Sequence, residues 1–221
     1  MIQKPERSIA ERDVLTRLGK QLESHGFDPK PSGQSFYHSF PAGKSAFHVS
    51  FIPHQSDFDL TADVAIRLNA IEDLVNEYDT KRAPTERRKS MTLGGELGNI
   101  SEGHQLRWTV SDPNDIPKVC DQVANMFERI GLQFLRTHSD LAAAHKVLIS
   151  SNPRETFLSP ILGPRSMRAI ASAYILDGTS DITALAQRFE AMLVERQDLY
   201  LQDFRALCQG LLTRGRPASN Q

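Results

Sequence analysis

Apolar positions recur along the chain first with a helical period and then with a strand period. Ile9, Val14, Leu15, Leu18 and Leu22 fall on one helical face, and Ser8 with Glu11 has the spacing of a capping box at its start. His25, Gly26 and Phe27 end this segment, and Pro29 and Pro31 prevent its return. The period then drops to two. Phe36, His38 and Phe40 alternate with Tyr37 and Ser39, and "PAGK" at 41–44 reads as a turn. Phe47, Val49 and Phe51 alternate with His48 and Ser50. Phe58, Leu60, Ala62, Val64 and Ile66 alternate with Asp59, Thr61 and Asp63. This is the pattern of half-buried antiparallel strands with one face toward a core.

Residues 69–78 read as a short helix and the polar residues 79–89 as an exposed loop. A strand begins over 91–93, and Leu106, Trp108 and Val110 mark a final strand. In "TLGGELGNISEGHQLRW" (92–108) the pattern predicts two adjacent strands, with Gly98, Asn99 and Gly103 freeing the backbone at the turn. Trp108 is then either a packed core residue or a platform for a stacked ligand. Asp112 as N-cap, Pro113 in the first turn and an apolar stripe from Ile116 to Ile130 predict a helix that stops at Gly131.

A short helical piece follows at 139–148, then a Ser- and Pro-rich stretch at 150–164. A helix at 165–176 is broken by "DGTSD", and one long helix is expected over 180–213. Its stripe is Ile182, Leu185, Phe189, Met192, Leu193, Tyr200, Phe204, Leu207 and Leu211. The expected organisation is an α+β domain at 1–149, a linker at 150–164, a helical appendix at 165–213 and a frayed tail at 214–221. The expected fold is a mostly antiparallel sheet of about five strands, with the first helix and the 113–131 helix packed on one face.

Composition narrows the chemistry. Hydrophobic residues at 39% and charged residues at 24% are ordinary globular values. The net charge of −1 creates no global field for nucleic acid. The basic group Lys81, Arg82, Arg87, Arg88 and Lys89 contains no aromatic residue to stack on bases. Cys120 and Cys208 sit at apolar helical positions and read as buried thiols. The polar N-terminus has no signal-peptide core, and no apolar run approaches the roughly 18 residues that span a bilayer. A cytoplasmic location is the simplest expectation.

The glycine-rich stretch lacks the lysine of a phosphate-binding loop and the spacing of a dinucleotide fingerprint, and Glu96 would repel a phosphate there. No Gly-x-Ser-x-Gly elbow is present, and neither cysteine lies where its pKa would fall. His25, His104 and His138 fall near loops. No cofactor is implied.

As an ordered set, "ESHGF", "QSFYHSF", "FHVSFIPHQS", "FDLTADVAIR", "RWTV" and "IGLQFLRTHSDL" resemble a family of bacterial proteins known only as a domain of unknown function. The matching places are Gly26–Phe27, Phe36–Tyr37, Trp108 and the run Gly131, Leu132, Gln133, Phe134 and Leu135, within about residues 10–140. Where the family has "lp", this chain has "LQ". The resemblance implies an α+β fold and carries over no catalytic residues.

Two functional classes remain. The leading expectation is a non-enzymatic interaction protein. Its polar sheet face would bind through Tyr37, His48, Asp59, Asp63 and Arg107, and the 180–213 helix would offer a surface to a protein partner or a second copy if it does not pack in cis. The alternative is a metal-dependent hydrolase or nuclease that gathers His48, Asp59, Asp63 and Glu96 around a divalent ion.

Overall fold

The computed structural model describes residues 4–178 and 182–214. The chain begins with α1 (Lys4–Glu23), β1 (Ser35–Phe40), β2 (Gly43–Pro53) and β3 (Phe58–Leu68). Next come α2 (Asn69–Asn76), α3 (Pro84–Lys89), β4 (Leu93–Glu96), α4 (Leu97–Ser101) and β5 (Trp108–Val110). The helices α5 (Ile116–Met126), α6 (Leu132–His138), α7 (Leu141–Ile149), α8 (Pro153–Thr156) and α9 (Leu162–Asp177) follow. The described part closes with α10 (Ile182–Glu195) and α11 (Leu201–Arg214). The fold is α+β, about 58% helical, with a five-strand antiparallel open sheet and a helical C-terminal segment.

The residues group into two compact units. The first comprises Met1–Ile66 and Gly94–Thr137, the second Arg67–Leu93 and His138–Gln221. This interleaved division differs from a sequential one at 150–164, because the segment 67–93 groups with the C-terminal helices. Residues 150–164 are themselves partly helical, containing α8 and the start of α9. The expected tail lies, beyond Arg214, outside the described residues.

In the first unit the sheet runs β1-β2-β3-β4, and β5 also pairs with β3. Ser35 stands opposite His48 and Phe36 opposite Phe47, while Phe58 stands opposite Val110 and Leu60 opposite Trp108. Alternation therefore places Phe36, Phe47, Val49, Phe58, Leu60, Ala62, Val64 and Ile66 on one fully buried face. The Phe127 ring, from the segment after α5, meets Phe47 at 5.1 Å and Phe27 at 5.4 Å, both edge-to-face. Burying each such ring contributes about 1.5–3 kcal/mol.

Three expectations for this unit change. The first helix is already helical at Lys4, so Ser8 lies inside it and is exposed rather than capping it. Asp112 and Asp115 do form a reciprocal capping box, but Gly131 does not stop the helix. Phe127–Gly131 forms a π-helical turn that runs on into α6. Gly131 serves close packing instead: a Cβ there would stand 2.6 Å from the Phe127 ring and 3.1 Å from Val64 Cγ1. The glycine-rich stretch is not a pair of adjacent strands. β4 and β5 each pair with β3, and α4 follows β4 directly.

The second unit is built around α9. Every residue from Leu162 to Tyr174 is buried, because α2, α7, α10 and α11 all pack on this helix. Its two serines find local partners: the Ser166 hydroxyl donates to Leu162 O at 2.6 Å and that of Ser172 to Ala169 O at 2.9 Å. The single helix expected over 180–213 is two. The chain turns back at 196–200, where Gln197 takes φ of +50° and the Asp198 carboxylate accepts the Tyr200 N–H at 2.9 Å. The expected stripe is thereby divided between α10 and α11. Ile182, Phe189, Leu193, Tyr200, Phe204, Leu207 and Leu211 are buried, and Leu185 and Met192 half-buried. Within the segment read as an exposed loop at 79–89, Pro84–Lys89 is helical, with Pro84 opening the turn.

Candidate functional site

The polar face of the sheet is set by the same alternation that builds the core. Tyr37 lies opposite Ala46 and Ser35 opposite His48, so Tyr37 and His48 point away from the phenylalanines. Asp59 and Asp63 share that face of β3, and Thr109 joins it opposite Asp59. The Lys44 ammonium stands 5.2 Å from the Tyr37 ring centroid, and the Ser35 hydroxyl and His48 Nδ1 are 2.9 Å apart.

The four carboxylate and imidazole groups expected to converge do different work. The Asp59 carboxylate accepts the Thr109 hydroxyl at 2.7 Å, meets His54 Nε2 at 3.1 Å and lies 3.6 Å from an Arg107 nitrogen. Burial acts to raise its pKa. Hydrogen bonds from Thr109 and His54, with the charges of His54 and Arg107, outweigh this and hold Asp59 below the usual carboxylate range. Glu96 is committed to the backbone: its carboxylate accepts Gly98 N–H at 3.0 Å, Asn99 N–H at 2.9 Å and Leu106 N–H at 3.2 Å. It is the N-cap of α4.

Asp63 differs. It is half-buried, and no donor within hydrogen-bonding range of its carboxylate is found among the described residues. Burial raises its pKa, the His48 charge opposes that, and the Glu96 charge adds to it. Asp63 thus feels the charges of His48 and Glu96, whereas Asp59 belongs to a separate group with His54, Thr109 and Arg107. The metal set of His48, Asp59, Asp63 and Glu96 is not assembled: among the described residues no three His, Cys, Asp or Glu side chains are placed to hold a metal ion. The physical reason is that the lone pairs of Asp59 and Glu96 already accept hydrogen bonds from the chain.

Trp108 is half-buried beside Leu60 on the core face, and its outer edge lines an open groove of about 700 Å³ with Leu106, Arg107, Gln122, Asn125, Met126 and Arg129. Both thiols are unreactive by environment: burial pushes Cys120 and Cys208 up to about 12. In the basic segment Arg87 is drawn inward, donating to Asn76 O at 2.8 Å, while Lys81, Arg88 and Lys89 are exposed.

Sequence reasoning passed over Ser35 and Thr109, which hold His48 and Asp59. The signal for both was the cross-strand register, which no single strand's pattern contains. It also passed over the buried pair of Glu72 and Arg168, whose members are far apart in sequence. Among the described residues no helix is long and apolar enough to cross a membrane. No known protein family, curated protein or solved structure matches this chain.

Proposed function

We propose that this chain is a non-enzymatic protein-interaction module of the bacterial cytoplasm, related to the domain of unknown function it resembles, with the polar sheet face as its binding surface. One observation carries the reading. Asp63 is a half-buried carboxylate whose protonation burial favours, yet it has no donor among the described residues. Such a group weakens the fold in isolation and gains when a donor is brought to it. The unpaired Asp63 carboxylate is an acceptor, so a lysine or arginine of a partner protein is the donor that fits.

The commitment of Asp59 and Glu96 to internal hydrogen bonds favours binding over metal-assisted hydrolysis. A homodimer seated on the 180–213 segment receives less support, since most of that stripe is buried against α9. The test is a photo-crosslinking residue placed at Tyr37 in cells. A discrete adduct that disappears with Asp63→Lys, and not with Ile9→Ser, supports the reading. Adducts indifferent to Asp63→Lys oppose it.

A further inference from the structure

We propose that the second unit carries an oxyanion site, specific for a phosphate group, built from Arg165, Arg188 and Arg196. Arg165 lies in the first turn of α9 and is only 8% exposed. Its Nε is buried without an acceptor, and no carboxylate or carbonyl among the described residues receives its guanidinium. Among the described residues every other arginine buried in this unit is matched: Arg168 by Glu72, and Arg67 by Asp73 and Ser90.

The surroundings of Arg165 add positive charge. α10 packs on α9, and Arg188 within it is fixed by donating through Nη2 to Ile149 O at 2.7 Å, with its guanidinium 4.8 Å from the Phe189 ring centroid. Arg196 is the first residue past α10, where the chain turns back toward α9. The close approach of Gly163 to Tyr200 places the first turn of α9 against this bend: a Cβ on Gly163 would stand 2.5 Å from Tyr200 Cβ. Arg196 is exposed. Burial, then the charges of Arg196 and Arg188, push the Arg165 pKa down.

Helix polarity points the same way. The N-cap position, Ile161, supplies no side-chain acceptor to the first N–H groups of α9. A positive side chain at a helix N-terminus is repelled by the dipole, and an anion seated there reverses that. Guanidinium forks match tetrahedral oxyanions through paired N–H donors, and three neighbouring positive charges favour a dianion over a carboxylate. A phosphate monoester or free phosphate has that charge near neutral pH.

The experiment is calorimetric titration of the full chain with inorganic phosphate at constant ionic strength, beside thermal melts in phosphate-free buffer. Saturable one-site binding is expected, weakened about tenfold or more in Arg196→Ala and abolished in Arg165→Met. Arg165→Met should also melt higher than the native chain without phosphate, because an unpaired buried charge is gone. Arg196 is exposed, so its variant keeps the test decisive if Arg165→Met does not fold. Tighter binding of glycerol 3-phosphate than of inorganic phosphate would identify a phosphomonoester as the ligand, and the reverse the free ion. No saturable heat, or equal heat from the native chain and Arg196→Ala, would overturn the site.

Discussion

The Arg168 guanidinium grips the Glu72 carboxylate inside the second unit, with Nε 2.7 Å from Oε1 and Glu72 wholly shut off from solvent. Arg168 also donates to Ser159 Oγ at 3.2 Å, and Arg67 approaches the other Glu72 oxygen at 4.0 Å. The pair joins α2 to α9, the helix around which this unit is packed. Buried ions of this kind are held by geometry. Their mutual attraction roughly offsets the cost of desolvation, so the consequence of breaking the pair exceeds the benefit of making it.

Glu72→Gln should therefore lower the stability of the second unit by about 3–5 kcal/mol in denaturant unfolding, because Arg168 is left buried without its counter-charge. Glu72→Met combined with Arg168→Met should recover most of the loss. The pH dependence has a definite sign. Burial acts to raise the Glu72 pKa, but the charge and hydrogen bond of Arg168, then Ser90 and Arg67, hold it below the usual carboxylate range. A depressed folded-state pKa gives stability that is present above the unfolded value and lost as pH falls through the folded one. Acid unfolding below about pH 4.5 should thus be steeper in the native chain than in Glu72→Gln.

Asp63 carries the opposite sign. Its pKa is raised in the folded state, so its ionisation opposes folding, and stability declines as pH climbs from the unfolded value through the folded one. Asp63→Asn should melt higher than the native chain at pH 7 and match it more closely near pH 4. A melting temperature lower than native at pH 7 would show that the carboxylate serves the fold.

Glu96 should behave as a structural cap. Glu96→Ala removes one acceptor group from three backbone N–H donors and should cost about 1–2 kcal/mol. Hydrogen exchange at Gly98, Asn99 and Leu106 should accelerate together, while addition of divalent metal should leave the melting of native and variant chains unchanged.

Gly163 tests the packing of α9 against the bend between α10 and α11. Gly163→Ala places a methyl group 2.5 Å from Tyr200 Cβ, a stem atom that cannot swing away. A loss of about 1–3 kcal/mol is expected, with no change in the circular dichroism of the folded state.

The sheet was legible because its two periods are clean. From Phe58 to Ile66 apolar residues alternate with Asp59, Thr61 and Asp63, which sets Tyr37, His48, Asp59 and Asp63 on the face opposite the core, although Asp59 and Thr61 are themselves buried there. The helix ends were less legible. Gly131 looked like a stop, yet its missing side chain answers the nearness of Phe127 and Val64, a contact invisible along the chain. The α10–α11 bend was hidden because apolar spacing continues in phase through 193, 200 and 204, while Gln197 carries no residue-type signal for its left-handed backbone. The candidate site failed as a metal set for a similar reason. Composition reveals that Asp59 and Glu96 are carboxylates, but not that Thr109 and the α4 backbone already occupy them.

The most direct test is a native mass spectrum of the protein isolated at its endogenous level from its own host, for the native chain and for Asp63→Lys. The account predicts a complex with a second, basic chain that is present in the native sample and missing in the variant. A native chain bearing only the mass of a divalent metal, lost on His48→Ala, would contradict it and return the polar face to metal chemistry.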